Sequence, residues 1–298
     1  MFKKILFSVL DFLLFSNIFI AVCAVTQGLV TYYLLGLPAD RYVLAFLFFA
    51  TLISYNLSVL LTKPADLQKP QFKRINWFFE HHRLMISITM IAILCIIPLA
   101  LLYLSMQAKL LMGFIGLIAV AYNFPFLTLD QKKISLRNLP VIKLFLIAFI
   151  WSVSCVLLPI VELENNYGIV IPLGETILLL AQRLLFICAL TIPFDSRDLF
   201  QDKIYELKTI AVTSREKKAW IFCQVILGLY LILLVLFTKT INLDVAALAL
   251  TIFLTGWLIF KSNPKRSEYY YFLWLDGMMI LQCAVLFACN LLDKYLQL

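Results

Sequence analysis

Along the 298 residues, apolar and polar positions do not alternate; the apolar ones come in blocks. Nine blocks can be drawn, at roughly 12–36, 42–62, 84–105, 109–128, 139–161, 171–194, 218–238, 243–260 and 270–292. A block of about twenty apolar residues is long enough to cross a bilayer as a helix. The pattern therefore predicts an all-α, polytopic membrane protein of nine transmembrane helices, with residues 1–298 forming a single domain. The amphipathic period that locates soluble helices carries little information here, because such spans face lipid and one another.

Composition sharpens this picture. Hydrophobic residues make up 63% of the chain and charged ones only 14%, against about 25% charged in a soluble domain. The net charge of +8 is the kind of balance that accompanies nucleic-acid binding, but no such motif is present. Basic residues gathered on one membrane face account for it better. With the N-terminus cytoplasmic, twenty of the 25 Lys and Arg fall in inner segments and four in outer ones. The start, "MFKKILFSVLDFLLFSNIFIAVCAV", imitates a secretory signal. Asp11 interrupts its apolar stretch and no good cleavage site follows, so it reads as a first transmembrane helix. The expected location is a multi-pass place in a cell membrane, the bacterial inner membrane. All seven cysteines lie inside apolar blocks without CxxC spacing and read as buried free thiols.

Candidate chemistry begins at "TIPFDSRDLFQDK", residues 191–203. Asp195, Asp198 and Asp202 are offset by 0, 3 and 7, which puts all three on one face of a helix. Carboxylates that close repel unless a cation sits among them. Mg²⁺, a hard ion that takes one or two carboxylates plus phosphate oxygens, suits the pattern. A solvated helix end, with Asp195 as a cap, is the alternative.

"TIPFDSRDLFQDKIYELKTIAV" resembles the second aspartate-rich motif of the UbiA superfamily of intramembrane prenyltransferases. "AYNFPFL" at 121–127 followed by Lys132 and Lys133, and "EYYYFLWLDG" at 268–277, resemble further parts of that family. The resemblance implies a bundle of nine helices and transfer of a prenyl group from a polyprenyl diphosphate to a lipophilic, aromatic or quinone-precursor acceptor. It implies Asp195, Asp198 and Asp202 as catalytic Mg²⁺ ligands. It implies Asn56, Lys132, Lys133, Arg137 and Tyr122 as the diphosphate and substrate side of the site. The family's first aspartate motif has a counterpart only in part. Asn56 matches its asparagine, but Leu57, Leu60 and Pro64 stand where aspartates are expected, with Asp66 nearby at another spacing.

Other polar residues stay open. "NWFFEHHR" reads as an interfacial anchor around Trp77 rather than a His–metal site. Arg183, inside a span, could meet Glu175, turn towards a cavity or snorkel outwards. Asn17, Gln27 and Gln282 read as interhelical hydrogen bonds, and Asp276 as a structural hydrogen-bonding residue. Two functions besides prenyl transfer fit the pattern: a non-catalytic lipid- or partner-binding protein of the same fold, and a transporter. No internal repeat supports the latter.

Overall fold

The computed structural model describes residues 2–61, 73–123, 127–129, 132–134, 136, 140–204, 212–237, 242–263 and 265–296. Within these, the side chains of 2–4, 123–134, 140–141, 198–204, 212–217, 237 and 293–296 lie outside the description. The chain forms helices α1 (Phe2–Phe15), α2 (Ile18–Leu34), α3 (Arg41–Leu61), α4 (Lys73–Glu80), α5 (His82–Pro98) and α6 (Met106–Asn123). There follow α7 (Pro140–Ser152), α8 (Leu158–Tyr167), α9 (Leu173–Ile204), α10 (Val212–Phe237), α11 (Leu243–Lys261) and α12 (Gly277–Leu296). Wider π turns extend α5 (Leu99–Tyr103), join α7 to α8 (Val153–Leu157) and lead into α12 (Tyr270–Leu275). Two short strands, β1 (Leu127–Leu129) and β2 (Lys132–Ile134), pair antiparallel with Leu127 opposite Ile134.

Among the described residues, seven helical stretches are long and apolar enough to cross a membrane. The pair α1–α2 makes an eighth if its two arms count as one span, and α6 is a shorter apolar helix. The protein is thus a polytopic helical membrane protein. α1 and α2 meet at 65°, where Asn17 adopts a left-handed backbone (φ 66°). Asparagine is among the few side chains that tolerate this region.

Two stretches expected as loops contain helix. Residues 73–80 form α4, because Ile75, Trp77 and Phe78 give a short helix an apolar face, and Phe78 is fully buried. Helix α9 does not end at Asp195 but runs on to Ile204. After Pro193 no glycine or proline arrives to stop it. The backbone of all three aspartates therefore lies in one helix, as their spacing predicts.

Inside a bilayer a backbone carbonyl without a partner is costly, and a helix proline removes one donor. Both interior prolines beside the core are compensated from another helix. Pro193 cannot serve the carbonyl of Ala189, and the thiol of Cys223 on α10 donates to it at 3.7 Å. Pro159 cannot serve the carbonyl of Cys155, and the Thr31 hydroxyl on α2 donates to it at 2.7 Å. Helix α2 packs against α3 and α12 and against the π turn before α8. Gly28 is the point of closest approach to α3: a Cβ there would lie 2.7 Å from Leu47 Cδ1, as small-residue packing between membrane helices requires.

The same region holds Arg183. It is buried, and its Nη2 donates to the Gln27 carbonyl at 3.0 Å and to Thr31 Oγ1 at 3.3 Å. Its Nη1 lies 3.5 Å from Gln282 Oε1. Of the open readings, the guanidinium faces the bundle interior and neither snorkels nor pairs with Glu175. Gln27 donates to the Met279 carbonyl at 2.9 Å and Asn17 to Asn56 at 2.7 Å, so the expected interhelical bonds form. All seven cysteines are free thiols.

Thr31→Val keeps the volume but strips the Cys155 carbonyl of its donor. We expect a loss of about 1–3 kcal/mol, read as a lowered unfolding temperature in lipid nanodiscs, and little change in Thr31→Ser.

Candidate functional site

At the end of the bundle where α1 bends into α2, a cavity of about 370 Å³ opens between α1, α2, α3, α4, α6, α7, α9 and the segment 268–276 that leads into α12. Its wall carries the cations Arg74, Lys143 and Arg197, the carboxylates Asp195, Glu268 and Asp276, and the hydroxyls of Tyr55 and Tyr122. For so apolar a chain this is a dense concentration of charge, and charge at membrane depth marks function by default.

Each cation is held differently. Lys143 Nζ lies 3.1 Å from Asp195 Oδ1, so α7 and α9 are clamped by an ion pair whose two side chains are only 18% and 14% exposed. Arg197, two residues on from Asp195, is buried and lies over the rings of Tyr271 and Phe272, at 4.9 and 5.1 Å from their centroids. Arg74 comes from α4. Its guanidinium lies 4.6 Å from the Phe272 centroid, and Nη2 donates to Asn17 Oδ1. Asn17 in turn donates to Asn56 (2.7 Å), Asn56 to Thr89 (3.0 Å), and Thr89 to the Met85 carbonyl (2.7 Å). This buried relay ties α2, α3 and α5 together behind the cavity and fixes the arginine in front of it. Among the described side chains no carboxylate lies within ion-pair distance of Arg74, and its buried Nε has no hydrogen-bond partner.

Helix α4 is itself docked by a second polar group. Tyr269 donates to Asp11, while Lys73 lies 2.6 Å from the Tyr269 hydroxyl and 3.6 Å from Asp11. Trp77 packs on Phe12 and Phe15 and stacks on His81 at 4.4 Å. The helix that carries the cavity arginine thus runs straight into the stretch expected as an interfacial anchor.

Behind the charged cavity lies a second one of about 370 Å³, lined almost wholly by apolar side chains of α2, α3, α5, α6 and α7. Tyr55 lines both. The helical faces run on from one to the other. On α6, Met112, Ile115 and Ala119 lead up to Tyr122; on α7, Trp151 and Ile150 lead up to Ile147 and Lys143. These steps of three and four residues keep one face of each helix.

The residues expected from sequence distribute as follows. Asp195 and Tyr122 line the charged cavity. Asn56 does not: it is fully buried one layer behind and acts through Asn17. Asp198 and Asp202 belong to α9, and Lys132 and Lys133 to β2, but their side chains lie outside the described residues, as does Arg137 altogether. The residues that sequence reasoning missed are Arg74, Lys143 and Arg197, counted there only as membrane-face charges, together with Glu268 and Tyr55. Asp276 was assigned a structural hydrogen bond, yet its carboxylate makes none among the described residues.

The described donors do not assemble a Mg²⁺ site. Asp195 is engaged by Lys143, α3 sends no carboxylate to the cavity, and no three His, Cys, Asp or Glu among the described residues stand close enough to share a metal. No family model matches the chain, and no curated protein matches it in sequence.

Burial pushes the carboxyl of Glu268 above its ordinary value, opposed by the Arg74 backbone N–H at 2.9 Å and by Arg197, Arg74 and Lys73. A carboxyl raised on folding adds stability below its unfolded value and loses it as pH rises through the folded one. Glu268→Gln, which still accepts from the Arg74 N–H, should therefore raise the unfolding temperature relative to wild type at pH 7 but not at pH 4.

Proposed function

We propose that the chain binds a lipid with an anionic head and an apolar tail, and transfers its prenyl group as a membrane-embedded prenyltransferase. The supporting observation is the pair of cavities that share Tyr55. One offers guanidinium and ammonium groups to a diphosphate; the other offers aliphatic and aromatic walls to an isoprenoid chain. The resemblance of residues 191–212 and 268–277 to the UbiA superfamily supports the same reading. So does the correspondence of each apolar block with a helix or a bent pair. With it come nine spans, a cytoplasmic N-terminus, a charged cavity that faces the cytoplasm, and a place in a bacterial inner membrane.

In this reading the diphosphate lies against Arg74, Lys143 and Arg197. Arginine's planar fork can hold phosphate oxygens in two places at once. Charge that grows on the leaving diphosphate as the allylic C–O bond breaks is met by cations already fixed in place. The dry apolar walls keep water from the carbon, and an aromatic or other lipophilic acceptor captures it.

A second reading is favoured by the wall at α3. Asn56 is turned into the relay, and Leu57 and Leu60 stand where the family places aspartates. A non-catalytic protein of this fold that holds an isoprenoid lipid would need the cavities alone.

Protein in nanodiscs, given geranylgeranyl diphosphate and a panel of phenolic acceptors, should release diphosphate and form prenylated product. Binding without turnover selects the second reading, and no binding rejects both. Arg74→Gln should weaken donor binding by about 10-fold or more, the loss of hydrogen bonds to a charged group. The same assay in Mg²⁺ and in excess EDTA tests the metal: strict dependence assigns the missing donors to Asp198 and Asp202, and EDTA-insensitive transfer removes it.

A further inference from the structure

We propose that Arg183 and Gln282 hold a monatomic anion, chloride in physiological solution, in a small cavity between α2, α9, α10 and α12, and that this ion helps to hold the four helices together. The site is separate from the charged cavity: Arg183 lies about 15 Å along α9 from Leu173, and Asp195 about 18 Å further on. The proposal stands whether or not the chain transfers a prenyl group.

The charge comes first. Arg183 is 6% exposed and Gln282 1%. The Nη1 and Nη2 contacts of the guanidinium, on the Gln27 carbonyl, Thr31 Oγ1 and Gln282 Oε1, are all with neutral groups. Among the described side chains no carboxylate lies at ion-pair distance from it. Its titratable neighbours are Cys155, Tyr230 and Cys283, which in their ordinary forms are uncharged near pH 7. A fixed positive charge inside a membrane bundle is costly without a counter-charge.

The unused donors converge on one place. Gln282 Oε1 accepts from Gln27 Nε2 at 3.3 Å and faces Arg183 Nη1 at 3.5 Å. This fixes the amide, with its carbonyl towards those two residues and its NH₂ turned away from them. Arg183 Nε and Gln282 Nε2 are both buried without a hydrogen-bond partner among the described residues. Both residues line the same cavity of about 10 Å³, whose other walls include Val30, Leu179, Phe186 and Tyr230.

A volume of that size takes one particle of about water's dimensions. Phosphate, diphosphate and lipid headgroups are too large for it. A water would satisfy the two donors but leave the guanidinium charge uncompensated; a monatomic anion does both. Chloride is slightly wider than water, and the long side chains of Leu179 and Gln182 in the lining can yield by that much. The guanidinium also holds Thr31, whose hydroxyl serves the Cys155 carbonyl, so the ion supports the π turn before α8 as well.

The test measures unfolding temperature in nanodiscs in chloride, bromide and gluconate at equal ionic strength. It compares wild type, Arg183→Gln and Gln282→Glu. The wild type should unfold about 2 °C or more higher in either halide than in gluconate, with a saturating dependence, as for a ligand that binds only the folded state. Arg183→Gln should lose that response. Gln282→Glu places a carboxylate beside the guanidinium; it should exceed wild type in gluconate and ignore halide, and it carries the test if Arg183→Gln does not fold. Crystals grown in bromide should show an anomalous peak beside Arg183 Nε. Equal unfolding temperatures of the wild type in halide and gluconate, a halide response that survives in Gln282→Glu, or water in place of the bromide peak overturns the proposal.

Discussion

The contact on which the cavity depends is the one between Arg74 and Asn17. An arginine on a short helix outside the apolar blocks reaches into the bundle because a side-chain oxygen waits for it at the bend between α1 and α2. Asn17 can be there because its backbone is left-handed, and its amide is oriented because Asn56 and Thr89 fix its other end. Each member satisfies the next, which is what makes a buried polar chain tolerable at all. Without it, a partly buried guanidinium with no carboxylate at ion-pair distance among the described residues would lose its fixed partner. With it, the arginine is held still and its remaining N–H is left for something else.

The polytopic helical character was legible in the sequence because the bilayer imposes it. Blocks of about twenty apolar residues have few other uses, and among the described residues each block contains helix. The departures have local causes. The 65° break at Asn17 depends on one residue's backbone conformation, which hydropathy does not record. Helix α4 was hidden because eight residues with three basic or acidic ends resemble an anchor until their packing on Phe12 and Phe15 is seen. Helix past Asp195 was expected from the aspartate spacing, but its continuity with the span was hidden, because a fall in hydropathy was read as the end of the span, whereas it marks only the end of the apolar environment.

The site was legible in part for a related reason. Asp195 stood out by the spacing of its aspartates and Tyr122 through the family resemblance. Arg74, Lys143 and Arg197 did not, because a basic residue beside a membrane has a ready explanation in topology. Only three-dimensional proximity shows that these three line a cavity. Asn56 differs from these: its side chain is turned towards Asn17 and Thr89 rather than into the cavity.

Helix α4 joins two kinds of contact at the edge of the charged cavity. Its outer seam, Lys73 with Asp11 and Tyr269, is half in water, where ions in solution weaken attraction between charges. Its inner seam, Arg74 on Asn17 and Phe272, is sheltered. The helix is thus held by one seam that water reaches and one that is sheltered, and salt in the surrounding solution weakens the first before the second.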